Sequence, residues 1–116
     1  MNKLEHAFAD GKALLPFITC GDPDLETTAA IVRAMSAAGA GAVILGIPFS
    51  DPTAEGPLVQ EANLRAFAAG VQRGDRRAML YLGLCHLHGR GLNADAAQAL
   101  TLFERAAAGN GYYARY

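Results

Sequence analysis

The stretch LLPFITCGDPDLETTAAIVRAMSAAGAGAVILGIP, residues 14–48, decides the fold. Its first part, LLPFITC (residues 14–20), is a short apolar run with turn residues behind it, which suits a buried strand. Its last part, GAVILGIP (residues 41–48), is a continuous apolar run rich in β-branched side chains and reads the same way. Between them lies a helix signal. Asp22 or Asp24 is placed to cap it, Pro23 falls near its first turn, and Glu26 suits the positive end of the helix dipole. Thr28, Ile31, Val32, Met35 and Ala38 recur on one helical face, and Gly39 is a natural stop. Strand, helix and strand with short connections make a βαβ unit, which implies a parallel pair and a right-handed crossover.

Working outward, FSDPTAEGP (residues 49–57) is a polar loop shaped by two prolines. It follows the carboxyl end of the second strand, the edge where α/β sheets gather their sites. LVQEANLRAFAAG (residues 58–70) reads as a helix ending at Gly70. From Gly74 onward no strand signal remains. Asp75 caps a helix to about Leu87, with Ala78, Leu82 and Cys85 on one face. GRGLNAD (residues 89–95) is a turn, and Asp95 caps a second helix ended by Gly109. Ala99, Leu102, Phe103 and Ala106 form that helix's apolar stripe, so the pair reads as an αα-hairpin.

Composition narrows the class. An apolar content of 52% with 18% charged residues excludes a disordered chain. The chain has 116 residues, too few for a complete eight-stranded α/β barrel, which takes roughly 200 or more. Charge is uneven: residues 1–70 carry four bases against eight acids, and residues 71–116 carry six arginines against three acids. That small, scattered positive excess does not make a nucleic-acid stripe. No apolar run reaches a membrane span. The opening MNKLEHAFADGKALL holds Glu5 and Asp10 and no apolar core, so no export signal is read and a cytoplasmic chain is expected. Cys20 and Cys85 are then expected as reduced, structural thiols.

PFITCGDPD, LGIPFSDP, the EGP turn and QEANLRA occur in an order and spacing that resemble the N-terminal quarter of the tryptophan synthase alpha chain family, over about residues 3–70. Residues 74–116 are similar to a different family, the Sel-like repeat, a tetratricopeptide-related αα unit. That likeness rests on Gly74-Asp75, Ala78, Leu82-Gly83, Gly89, Gly91, Asp95, Ala99 and Ala106-Ala107. The expected fold is therefore α/β: a βαβ segment of a (β/α)8 TIM-type barrel over residues 1–70, followed by an αα-hairpin repeat over residues 71–116.

The first resemblance implies a chemistry. The alpha chain family cleaves indole-3-glycerol phosphate to indole and glyceraldehyde 3-phosphate, in tryptophan biosynthesis, and passes indole to a beta chain. It uses a carboxylate at the end of the second strand and another in the loop after it, for the proton transfers of a retro-aldol cleavage. Here the strand position is Ile44, which has no proton to move, and the loop position is Glu55. Phe17 stands where the family packs the indole ring. Pro48, Asp51 and Pro52 match the loop that faces the beta chain. The family's phosphate site comes from late barrel loops, and no glycine-rich cradle here replaces it. No cofactor is implied. Cys85 and His88 are three apart and could share one helical face, but His86 takes a packing position of the repeat pattern and zinc requires three or four ligands, so no metal is expected.

Each half has an unmet need. A two-stranded parallel sheet has open edges and a bare face. A single αα repeat does not bury its own stripe. The expected resolution is that the hairpin covers the exposed face of the βαβ unit. Three functions stay open: a hybrid or truncated chain of alpha-chain ancestry, inert alone; a small protein–protein interaction module using the repeat; and a lyase active only when the missing barrel parts are supplied.

Overall fold

In the computed structural model, which describes residues 1–50 and 56–108, two apolar tripeptides pair as the only strands among those residues. Phe17–Thr19 is β1 and Ile44–Gly46 is β2, parallel, with Phe17 opposite Ile44, Ile18 opposite Leu45 and Thr19 opposite Gly46. The strands are shorter than their apolar runs, and proline gives the reason. Pro16 and Pro48 carry no N–H and cannot donate to a ladder. Hydrogen bonding nonetheless continues past both ends. The Ile44 N–H donates to the Pro16 carbonyl at 2.9 Å, that of Gly41 to Leu14 at 3.0 Å, and that of Cys20 to Gly46 at 2.8 Å.

The connecting helix α2 runs Leu25–Ala37. Asp24, rather than Asp22, is its cap: its carboxylate accepts the Thr27 N–H at 2.7 Å. That bond, with help from the Thr27 hydroxyl, holds the Asp24 carboxyl below its ordinary range. Thr28 is buried, donates its hydroxyl to the Asp24 carbonyl at 2.8 Å and accepts the Gly21 N–H at 3.0 Å. The turn after β1 is thus stitched to the first turn of α2. Ile31, Val32 and Met35 are half-buried as the stripe requires, but Ala38 is exposed, because it is the C-cap and not part of the helix face. Gly39 ends the helix at φ +97°.

Helix α3 runs Pro57–Gln72, past the expected stop at Gly70. The turn comes at Gly74, where φ is +80°. Gly70 is a packing glycine: a Cβ there would lie 2.6 Å from the Cβ of Ala78 on the next helix. Gly70→Ala is therefore expected to destabilise the chain by up to about 2 kcal/mol net. Overpacking costs about 1–3 kcal/mol, and the better helix propensity of alanine returns up to about 1 kcal/mol. Urea midpoints check this, and Ala78→Gly in the same chain should restore part of the loss. An unmoved midpoint would show that the clash costs no more than the roughly 1 kcal/mol that alanine returns in helix propensity.

Helix α4 (Arg76–His88) and helix α5 (Ala96–Ala107) are capped as expected. Asp75 accepts the Ala78 N–H, and Asp95 accepts the Gln98 N–H, each at 3.0 Å. Gly89 closes α4 in the left-handed conformation. Met79, Leu102 and Ala106 form the buried cluster, with Val71 and Leu82 packed on it. Gly83 admits the ring of Phe103, which a Cβ there would meet at 2.5 Å.

The packing order corrects one expectation. Among the described residues the α4–α5 pair does not cover the sheet: α5 packs chiefly on α4, α4 on α3, and α3 on β1. Phe17, Ile44 and Leu45 accordingly stay about half exposed. A short helix that the periodicity did not indicate, α1 (Lys3–Ala7), precedes the sheet. Its capping box was legible in the residues. Asn2 accepts the Glu5 N–H at 2.8 Å, and the Glu5 carboxylate accepts the Asn2 N–H at 2.6 Å. No helix among the described residues is long and apolar enough to cross a membrane.

Candidate functional site

Side chains of paired residues in a parallel ladder share a face, and alternate residues return to it. Phe17, Thr19, Ile44 and Gly46 therefore occupy one face of the two-stranded sheet. Phe17 is 47% exposed and Ile44 48%. Gly46 is required here by the neighbouring ring: a Cβ would sit 2.3 Å from Cζ of Phe17. The two residues singled out on the strands are thus direct neighbours, and everything they present to each other is hydrocarbon. Thr19, buried on the same face, is its single polar side chain.

The loop after β2 bears the rest of the expected site. Glu55, Asp51 and Pro52 lie outside the described residues. Pro48 is half-buried and, with Ile47, walls a cleft against α3 and α4. The loop's first residues are held from two sides. The Asn63 side-chain amide donates to the Phe49 carbonyl at 3.3 Å. The Ser50 carbonyl accepts from Arg90 at 3.2 Å and faces the Cys85 thiol at 4.0 Å. Asn63 and Arg90 were missed in the sequence. Asn63 had a visible signal, a polar residue inside the buried α3 set of Ala62, Ala66, Phe67 and Gly70. Arg90 had none, since its partner lies 40 residues away.

A second clamp holds the turn after β1. Arg65 on α3 grips Asp22 with two parallel bonds, Nε to Oδ1 at 2.8 Å and Nη2 to Oδ2 at 3.0 Å. The pairing raises the guanidinium's pKa. Arg65 is mostly exposed, so the pair orients the turn more than it stabilises the chain.

The thiols behave differently from each other. Cys85 is buried and burial pushes its pKa up, with Arg90 opposing in part. Cys20 is half-buried just beyond β1. Ellman's reagent is expected to titrate Cys20 in the native chain and Cys85 only after denaturation; equal native rates would contradict this burial. Cys85 and His88 do not converge, because the first is buried and the second exposed. Among the described residues no group of three or more metal-ligating side chains occurs. The His86 Nδ1 is buried and lacks a partner among them.

The sequence model of the family described as "Tryptophan synthase alpha chain" matches residues 4–81, which takes in both strands, α2, α3 and the first half of α4. The tryptophan synthase alpha chain of Lacticaseibacillus casei is 54% identical over 72 residues, covering 62% of this chain and 27% of that protein. That of Pectobacterium atrosepticum is 56% identical over 68 residues, covering 59% of this chain and 25% of its own length. That of a Neisseria meningitidis serogroup A strain is 50% identical over 78 residues, covering 65% and 30%. The chain therefore spans less than a third of the length of these relatives. With a match over more than half of its residues, the chain belongs to the tryptophan synthase alpha chain family.

Proposed function

We propose that this polypeptide is a hybrid or truncated descendant of a tryptophan synthase alpha chain that does not itself cleave indole-3-glycerol phosphate. One observation carries the reading: the strand position at which the family resemblance calls for a carboxylate is Ile44, side by side with Phe17 on a hydrocarbon face. An isoleucine neither gives nor takes a proton, and loss of a general acid–base group costs about 10²- to 10⁴-fold in rate. Glu55 is the retained loop carboxylate in this reading and Phe17 the retained aromatic contact. Pro48, Asp51 and Pro52 are remnants of a surface toward a beta chain. Residues 1–70 form the partial barrel segment and residues 71–116 a Sel-like αα repeat, in a cytoplasmic chain. A lyase that acts once the rest of a barrel is supplied is the competing enzymatic reading.

An indole-release assay on the purified chain tests the proposal. No indole above the uncatalysed rate is expected. Sustained turnover that is abolished by Glu55→Gln would overturn it. A second reading, a protein-binding module, has a specific observation behind it. Leu87 on α4 and Leu100 on α5 are large apolar residues left exposed beside the packed core of that pair.

A further inference from the structure

A cleft of about 280 Å³ opens where the turns after β1 and β2 meet α3 and α4. Neither Phe17 nor Ile44 lines it, so it is separate from the face discussed above. Its floor is Ala66, Phe67, Gly70 and Ala78, all buried. Leu25 and Ile47 stand at its walls as exposed large apolar side chains. Tyr81 lines it as well, with its ring centroid 5.6 Å from that of Phe67 and tilted by 35°. The close approach of α3 and α4 at Gly70 and Ala78 is what brings these rings to one place.

Charge lies at the rim. Arg73 and Arg77 are both exposed and both line the cleft. Asp75 is its one carboxylate, and that group already accepts the Ala78 N–H at 3.0 Å. Arg77 has an interaction of its own, and a guanidinium fork with five N–H groups serves more than one acceptor. A guanidinium matches a carboxylate by two parallel bonds, and a tyrosine hydroxyl can add a third. A strongly charged ligand fits less well. An adjoining cleft shares Leu25 and Arg73 and brings Asp24 and Glu26 close, so a dianion would be repelled. The volume is near the lower limit of small-molecule pockets, which begin at about 300 Å³. One or two fused rings fill it.

We propose that this cleft binds a small aromatic monocarboxylate, its ring against Phe67 and Leu25 and its carboxylate toward Arg73 and Arg77. The position agrees with the general habit of parallel α/β units, which take ligands beyond the carboxyl ends of their strands. Affinity comes from ring burial, and selectivity for an anion comes from the two arginines.

The test is a titration of the full ¹⁵N-labelled chain with 2-naphthoate, with 2-naphthalenemethanol as the neutral analogue and inorganic phosphate as the anion without a ring. Saturable shifts of the Gly21, Gly70, Ala78 and Tyr81 amides are expected with naphthoate. The alcohol should bind at least about tenfold more weakly, and Arg73→Gln with Arg77→Gln should lose a similar factor. The single Arg73→Gln chain, altered only at an exposed C-cap position, guards against a fold defect and should still weaken binding. The proposal is overturned by an absence of saturation at millimolar naphthoate, by equal affinity for the alcohol, by phosphate binding as tightly, or by shifts centred on Phe17 and Ile44.

Discussion

On the proposed reading, placing glutamate at position 44 within a full-length alpha chain is expected to raise indole release by about 10²- to 10⁴-fold. The vehicle is a chimera in which residues 4–81 of this chain, the part matched by the family model, replace the corresponding segment of the Lacticaseibacillus casei alpha chain, to which the chain is 54% identical over 72 residues. In that setting the part of the relative's length that this chain does not cover is present, and position 44 is the one being varied. Ile44 offers only hydrocarbon beside Phe17, and in the proposed reading a carboxylate at this position would move a proton. With glutamate a carboxylate enters the same register position, two residues before Gly46, whose missing Cβ already leaves room for the Phe17 ring. The gain should appear in kcat rather than in KM, because proton transfer is a transition-state contribution. A chimera that runs as fast with Ile44 as with glutamate would remove the basis for reading the natural chain as inert.

Leu102→Ala is expected to cost about 2–5 kcal/mol, a large part of the 5–15 kcal/mol typical of a whole domain. Leu102 is buried in a cluster with Met79 and Ala106, closed by Val71 and Leu82. Its neighbours along α5 on the same face include Ala99 and Ala106, which are too short to refill the space. Leu100→Ala is the control. Leu100 is exposed, and its loss should shift stability by less than about 0.5 kcal/mol. Urea unfolding measures both, and amide exchange adds where the loss falls. Protection should fall across α4 and α5 first, since α5 packs on α4 and not on the sheet. Protection lost equally at the Cys20 and Ile44 amides would mean that strands and helices open as one unit. A change under about 1 kcal/mol for Leu102→Ala would mean that this cluster is not what holds the helix pair together.

Local chemistry was readable throughout. Asp24, Asp75 and Asp95 cap the helices they precede, because an N-cap needs only a short acceptor and the amides of the next turn. The two apolar runs carry the two strands, trimmed by prolines whose missing donors are visible in the sequence. Phe17 and Ile44 stood out only through the family resemblance, and it is the register of the ladder, set by the structure, that places them side by side on one face.

Whatever depends on partners distant in the chain was not readable. A glycine near a helix end looks the same whether it stops the helix or makes room for a neighbour. Gly74 does the first, through its positive φ, and Gly70 the second, through Ala78. The hold of Asn63 and Arg90 on the loop after β2 spans 14 and 40 residues. The apolar stripes of α4 and α5 were evident, but a stripe states only that a face must be buried, not against what. By itself, the sequence determined that α2 to α5 and the strand pair exist, the caps of α4 and α5, and the family. Tertiary structure alone decided that the helix pair stacks on α3 and leaves Phe17 and Ile44 about half exposed, because burial is non-directional and its partner is chosen by shape at close range.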